Sequence, residues 1–548
     1  MRSRGGSFAT LLGLLLGLLA VDVMTAPSRP VGDAFSCCYG ISPFHSIPIG
    51  IYGYSQVSFI VPPGVTVRIA EYVSFDAVGL AELVAKGEVT PAELEGAARG
   101  AAQGVDPYIN AVVETWPVDD EPRPGSAPLA GVPFLIKDLG VTMAGRKTEL
   151  GSRLAAGHVA AADSSLMARL RRAGLVTFGR TSTPEMAYSI TTEPALYGPT
   201  RNPWDLRRSA GGSSGGAGAA VAAGVVPVAH ATDAAGSIRI PAAYNGLFGL
   251  KPTRGRVSMG PDTDEVFNGL AVHGSVSRTV RDSAVLLDQI RGPEAGDPYF
   301  AQEPNLPYAQ EVTRPPGSLR IGVLAQSWGG IRTTAPVADA LSRTVRLLES
   351  LGHQVEEATI ELGVGWEEFV LAGARLMAAN LAASLDDLAA AFDRPLDAST
   401  LEPVTLAGYH YGQRVSGAQF VASLSVRNRV SRALARSFDA YDLLLTPTLP
   451  ELPVPLGTYD EGAETLDGLG WIDRLNDRSP FTMPFNMAGT PAMSVPLTHD
   501  DATGIPIGMQ FGAGYGLEGR LFRLAGQLEE ASPWLGRTPA VWAGDLAG

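Results

Sequence analysis

The sequence predicts an α/β fold: a mixed β-sheet core flanked by helices, with a largely helical insertion. Helix-then-strand units recur along the chain, and the segment from Gly363 to Arg436 keeps helical apolar spacing without the glycine-rich punctuation found elsewhere. Proline-punctuated strand-and-loop segments then return near the end. In order, "SFDAVGLAELVAKGEVTPAELEGAARGA" from Ser74 reads as two amphipathic helices. The second opens on Thr90, Pro91 and Glu93, a capping box with proline in the first turn. In "DSSLMARLRRAGLVTFG", Asp163 can cap a helix, Gly174 can end it, and Leu175 to Phe178 can enter a sheet. "APVADALSRTVRLLESLGHQVEEA" repeats the unit, with Val337, Leu341, Val345 and Leu348 on one helical face before Gly352 and a short strand. "YDLLLTPTLP" and "FTMPFNMAGTPAMSVPL" read as strand and loop, and "LEGRLFRLAGQLEEA" as a closing helix. No internal repeat or flexible linker divides residues 73 to 548, which read as one domain.

The first 72 residues differ from the rest. Arg2 and Arg4, an apolar run from Leu11 to Val21 and then Ala26 resemble a secretory signal over residues 1–26, too short to span a bilayer. Residues 27–72 are rich in Gly, Pro and aromatics without helical or strand period. Two readings stay open: an export signal with a linker, giving a secreted protein, or an upstream extension outside the folded protein, giving a cytoplasmic one. Neither implies stable membrane insertion.

Composition excludes several partners. With 548 residues and 45% hydrophobic content the chain can bury a large core. A formal charge of -14 argues against nucleic acid, which needs clustered Lys and Arg. Arg169, Arg171 and Arg172 form the densest basic run, expected as the solvated face of a helix. The only cysteines are the adjacent Cys37 and Cys38, so nothing downstream has a thiolate metal ligand or a disulfide. His45, His158, His230, His273, His353, His410 and His499 are isolated, with no metal-binding spacing. No metal and no cofactor is expected.

The chemistry concentrates in "SAGGSSGGAGAAVAAG", Ser209 to Gly224. Gly211, Gly212, Gly215 and Gly216 permit unusual backbone angles around Ser213 and Ser214, or mark a plain flexible turn. A nucleophile elbow through Gly211, Ser213 and Gly215 would require an apolar strand before it, and "RNPWDLRRSA" is too polar and proline-interrupted to supply one. A phosphate loop is excluded because no Gly-Lys-Ser/Thr follows. Ser237, in "TDAAGSIRIP", follows the apolar segment Val225 to Ala229, and the small residues Ala234, Ala235 and Gly236 leave their N–H groups accessible beside its hydroxyl, as acyl transfer requires. For a proton acceptor the better candidate is Lys137: Val132, Phe134, Leu135 and Ile136 would carry it inward on a strand, where burial disfavours the ammonium form. Its plain alternative is an exposed or ion-paired lysine. Asp138 would point to the opposite face and need not neutralise it.

A strand-borne lysine, "GGSSGG", and a serine in "GSIRIPA" 24 residues after the first framed serine together resemble the amidase signature family, over roughly Val73 to Trp542. The resemblance implies the amidase signature fold, an amidase that needs no cofactor, and a small-molecule amide as partner, with a homodimer compatible. It implies Ser237 as nucleophile, Ser213 as a bridging serine held by a cis peptide bond, and Lys137 as terminal base. Ala234, Ala235 and Gly236 would form the oxyanion hole, and Gly212, Ser214, Asp233 and Arg239 would support the loop. Most members have Gly-Gly-Ser where this chain has Ala235-Gly236-Ser237, so the donor loop is expected to differ slightly, because alanine adopts positive φ less cheaply. "DAAGS" and "TTEPALYGPTRNPWDLRRSAGGSSGG" resemble the branch acting on cyclic amides of 6-aminohexanoate. An amidase subunit of a glutamine-dependent tRNA amidotransferase and an esterase or aryl acylamidase on the same scaffold remain alternatives. The pocket is expected to draw on the helical segment 363–436 and on loops near Met186 and Phe485.

Overall fold

The computed structural model describes residues 67–118 and 127–546. The secretory-signal reading and both cysteines lie outside the described residues. The strands are β1 (Val112–Thr115), β2 (Pro133–Lys137), β3 (Val176–Thr181), β4 (Arg201–Asn202), β5 (Asp205–Ser209), β6 (Val228–Asp233), β7 (Phe248–Lys251), β8 (Val272–Ser277), β9 (Arg320–Val323), β10 (Gln354–Glu357), β11 (Leu443–Pro447), β12 (Ala492–His499) and β13 (Pro506–Ala513). Eleven of them form one sheet, in the order β1-β3-β2-β6-β8-β7-β12-β13-β11-β9-β10. It is mixed: β2 runs parallel to β3 and β6, whereas β8 is antiparallel to both β6 and β7. Strands β2, β3, β6 and β8 are buried at every position, because helices cover both faces; most positions are therefore apolar or small, and polar side chains such as Lys137, Arg180 and Asp233 are hydrogen-bonded inside.

The helices follow the local signals. Asp76 caps Ala77–Lys86 by accepting from Gly79 N, and Gly87 ends it with φ +71°. The capping box of Thr90 and Glu93 opens Pro91–Ile109, whose Leu94, Ala97, Ala98, Ala101 and Val105 are buried at helical spacing. Within the stretch that showed no period, the turn Ile69–Tyr72 packs into the core, and Tyr72 donates to Val225 O at 3.0 Å.

Several local expectations are corrected. Ser164, not Asp163, caps Ser165–Arg172; Asp163 instead accepts from Ala144 N and pairs with Arg171. The arginine run is split by the helical period. Arg171 and Arg172 face solvent, while Arg169 is buried and donates to the carbonyls of Ile290, Gly292 and Pro293 and to Glu294. "RNPWDLRRSA" does contain strands, but β4 and β5 form a separate two-stranded ribbon, where polar residues are tolerated. "FTMPFNMAG" is not strand and loop throughout: Met483–Ala488 is a helix with proline in its first turn, ended by Gly489 at φ +79°.

The insertion is helical as expected, with helices Trp366–Phe392, Pro403–Gln413 and Gly417–Ala440. They pack with Gly468–Arg478 around a second apolar core that includes Phe369, Leu376, Leu381, Val430 and Trp471. The helix Trp366–Phe392 is long and apolar enough to cross a membrane, but most of its apolar window is buried in this core.

Candidate active site

Strand β2, flanked by β3 and β6, delivers Lys137 into a closed space where it is 0% exposed. Nζ lies 2.8 Å from Ser213 Oγ, 3.1 Å from Ser214 Oγ and 2.9 Å from Thr232 Oγ1. Burial pulls its pKa down from 10.5 to about 7, with the Asp233 charge opposing the shift. Asp138 does point away: it accepts from Arg180, from Glu149 N and from Gly151 N. Behind the strand, the Lys137 amide donates to His230 Nδ1 at 3.3 Å, and His230 Nε2 lies 3.2 Å from His273 Nδ1. These two histidines are thus not isolated. With Nδ1 accepting, His230 is the Nε2–H tautomer and donates to its neighbour. Burial and then repulsion by His273 and Lys137 hold the His230 pKa well below its usual value, and burial and then Lys137 bring His273 down to about 4. Both rings are neutral beside the amine.

The glycine frame is tight rather than flexible. The Gly212–Ser213 peptide is cis. A Cβ on Gly212 would lie 2.4 Å from Thr191 O, and one on Gly216 would lie 2.4 Å from Ser182 N, so the chain can pass only where side chains are missing. Thr192, which sequence reasoning passed over, ties the frame together: it donates to Gly211 O and accepts from Gly215 N. Ser214 begins the helix Gly215–Ala222 without capping it, because its hydroxyl turns to Thr232 O and Lys137.

The loop after β6 carries Ser237, whose hydroxyl makes no hydrogen bond among the described residues and faces a cavity. The structure therefore brings Lys137, Ser213 and Ser214 into direct contact but shows no bond from Ser213 to Ser237. Of the expected oxyanion donors, Ala234 and Ala235 line the cavity. Gly236 is corrected: its N–H is committed to Asp233 Oδ1 at 2.8 Å. The Ser237 amide, not considered from sequence, makes no bond within the described chain and is the available donor in its place. Only Gly236 in this loop has positive φ, +135°, so Ala235 carries no strain and the expected cost of replacing glycine there does not arise.

Asp233 and Arg239 brace the loop as expected, in a bidentate pair with both bonds at 2.9 Å. Burial pushes the Asp233 carboxyl up, but Arg239 and hydrogen bonds hold it at about 2. The brace needs partners that sequence did not suggest. Arg239 also donates to Thr482 O, Gln510 Oε1 and Asn486 Oδ1, and Asn486 donates to Asp233. Thr482 donates to Ala235 O at 2.5 Å. These residues come from the far end of the chain, and no local pattern marks them.

A cavity opens beside Ser237. Tyr188, Ile190, Met377, Ile472, Leu475 and Met483 form its apolar wall, and none of the described residues lining it is charged. Met377 comes from the insertion, Tyr188 from beside Met186, and Met483 from near Phe485, as expected. Phe485 itself packs in another cluster, and the contribution of helix Gly468–Arg478 was not foreseen.

The chain is similar to known proteins in sequence and fold. Residues 117–522 match the family model described as amidase. A 6-aminohexanoate-cyclic-dimer hydrolase of Paenarthrobacter ureafaciens is 40% identical over 484 residues, covering 85% of this chain and 96% of that protein. The solved structure of a 6-aminohexanoate cyclic dimer hydrolase complexed with substrate superimposes with a TM-score of 0.82 at 38% identity, covering 86% of this chain and 99% of the other. A bacterial aryl acylamidase of the amidase signature enzymes gives 0.75 at 27% identity, covering 84% and 99%. A buried lysine against a serine-glycine frame, on this sheet and in this company, makes the chain a member of the amidase signature family and a hydrolase of amide carbon–nitrogen bonds.

Proposed function

We propose that the chain hydrolyses an uncharged carboxylic amide, cyclic or oligomeric, of the kind represented by a cyclic dimer of 6-aminohexanoate, through Ser237, Ser213 and Lys137. The observation that carries this reading is the Lys137 amine, fully buried and 2.8 Å from Ser213 Oγ, with no carboxylate bonded to it among the described residues. A neutral amine has two hydrogens and one lone pair. Ser214 Oγ, which donates to Thr232 O, can only accept from Nζ, and Thr232 can accept the second hydrogen. The lone pair is then left for the Ser213 proton.

In the proposed cycle Ser237 Oγ attacks the amide carbonyl carbon. Its proton passes to Ser213 Oγ as the Ser213 proton passes to Nζ. Negative charge on the carbonyl oxygen is taken by the free N–H groups of Ala234, Ala235 and Ser237, a contribution of about 10²–10³ in rate per donor in comparable sites. The C–N bond breaks as the Lys137 proton returns through Ser213 to the departing nitrogen. Water then repeats the sequence on the acyl-enzyme, releasing the acid and restoring the Ser237 hydroxyl. The step between Ser237 and Ser213 requires their hydroxyls to close to bonding distance around bound substrate, as catalytic hydrogen bonds commonly do.

The substrate class rests on the cavity and on similarity. A wall without charge favours a neutral molecule over a zwitterionic linear oligomer, whose charged ends would lose their hydration. The 40% identical relative bears the name of a cyclic-dimer hydrolase. Lys137→Met and Ser213→Ala are each expected to lower kcat/KM by about 10²–10⁴ on the cyclic dimer, and Ser237→Ala to abolish labelling by a fluorophosphonate. Near-normal turnover by Lys137→Met would remove the reading, and faster release of aryl amines than opening of cyclic amides would move the substrate towards the acylamidases.

A further inference from the structure

One polar group on the cavity wall is idle in the mechanism above. Asn476, on helix Gly468–Arg478, is 4% exposed and is the sole carboxamide side chain among the lining residues. Its Nδ2 donates to Ile472 O at 2.8 Å. That bond fixes the orientation of the amide, since turning it over would set Oδ1 against a carbonyl oxygen with no hydrogen between them. Oδ1 is therefore directed away from its own helix. It receives no donor among the described residues, yet it is not one of the fully occluded atoms left without partners. It opens on the cavity. Ser479 Oγ, on the same wall, has already given its hydrogen to Leu475 O at 2.8 Å and cannot satisfy it.

An acceptor that opens on a cavity takes its hydrogen from water or from a molecule bound there, and a bound molecule that displaces the water must supply that hydrogen in turn. Among neutral molecules, a donor suited to a carboxamide oxygen in an uncharged, largely apolar wall is an amide N–H. We propose that Asn476 Oδ1 accepts the N–H of a second amide in the substrate, one that is not being cleaved, so that the site selects diamides over monoamides of equal size. The proposal rests on reading this cavity as the site of amide hydrolysis. It gives a cyclic dimer two points of attachment: one carbonyl at Ser237 and the other amide at Asn476.

The test uses two anilides with aniline release as readout: N-acetyl-6-aminohexanoyl anilide, and its counterpart in which an ester oxygen replaces the distal N–H. The exchange removes the donor without adding bulk. Wild type is expected to prefer the amide by about ten-fold or more in kcat/KM. In Asn476→Leu that preference falls to within about two-fold, while Asn476→Asp, which keeps an acceptor, retains it. The ratio is the readout, so a general loss of rate does not mimic the result, and fluorophosphonate labelling of Ser237 reports an intact site. If Asn476→Leu is not labelled, the wild-type and Asn476→Asp ratios decide. A wild type that turns over both anilides equally, or an Asn476→Leu that keeps the wild-type ratio, overturns the proposal alone. A wild type that neither cleaves the anilides nor is protected by them from labelling overturns it together with the reading of this cavity as the site of amide hydrolysis.

Discussion

Lys137 shows how one residue's surroundings set its chemistry. Burial favours the free amine, the Asp233 charge favours the ammonium form, and burial is the larger influence. Because the neutral form is the proposed base, activity should rise with pH through about 7 and level off above it. Asp233→Asn removes the opposing anion, so the acidic limb of kcat/KM should move to lower pH. The same change leaves buried Arg239 without its counter-charge, which typically costs about 3–5 kcal/mol, so the melting temperature should fall sharply as well. A limb that moved upward would contradict the electrostatic account. The lysine and serines were legible in sequence because the glycine frame and the strand are local patterns. The His230–His273 pair was not, since the rings meet across β6 and β8 and nothing near either in sequence announces the other.

At the scale of elements, the helical insertion is fastened to the pocket loop by two carboxyl groups. Glu402, at the start of helix Pro403–Gln413, accepts from Ala195 N at 2.7 Å, and its own amide donates to Glu185 Oε2 at 2.7 Å. Burial and then the Glu185 charge raise the Glu402 pKa from 4.5 to about 7. The folded state therefore binds a proton that the unfolded chain releases between those values, and the stability Glu402 confers is present below 4.5 and lost as pH rises through about 7. Glu402→Gln keeps the acceptor without the charge, so it should melt higher than wild type at pH 8 and about equal to it at pH 5, measured by calorimetry. Capping and periodicity revealed these helices, but not their neighbours. Helix Pro403–Gln413 approaches Trp366–Phe392 so closely that a Cβ on Gly412 would lie 2.0 Å from Ala378 O, and a lone glycine in a helix does not disclose that.

For the whole molecule, the buried base carries a stability cost. In the unfolded chain Lys137 is charged up to about 10.5, whereas folded it is neutral above about 7, so folding releases a proton across that interval and stability rises with pH. The gap corresponds to an order of 4–5 kcal/mol, present in full below pH 7. Lys137→Met should thus unfold at higher urea than wild type at pH 6 while being inactive, with the difference shrinking towards pH 10. A less stable Lys137→Met at pH 6 would refute this. By itself the sequence determined the alternation of helices and strands, the apolar interior, and the three side chains whose spacing lies in short glycine-punctuated segments, because those signals are carried by neighbours along the chain. Only the tertiary structure decided that Gly236 is spent on Asp233 while Ser237 keeps a free amide, that Thr482, Asn486 and Gln510 hold the loop, and that Asn476 faces the cavity. The Gly236–Asp233 bond depends on the exact path of the loop, and the contacts of Thr482, Asn486 and Gln510 join segments more than two hundred residues apart, whose geometry exists only once the sheet has brought them together.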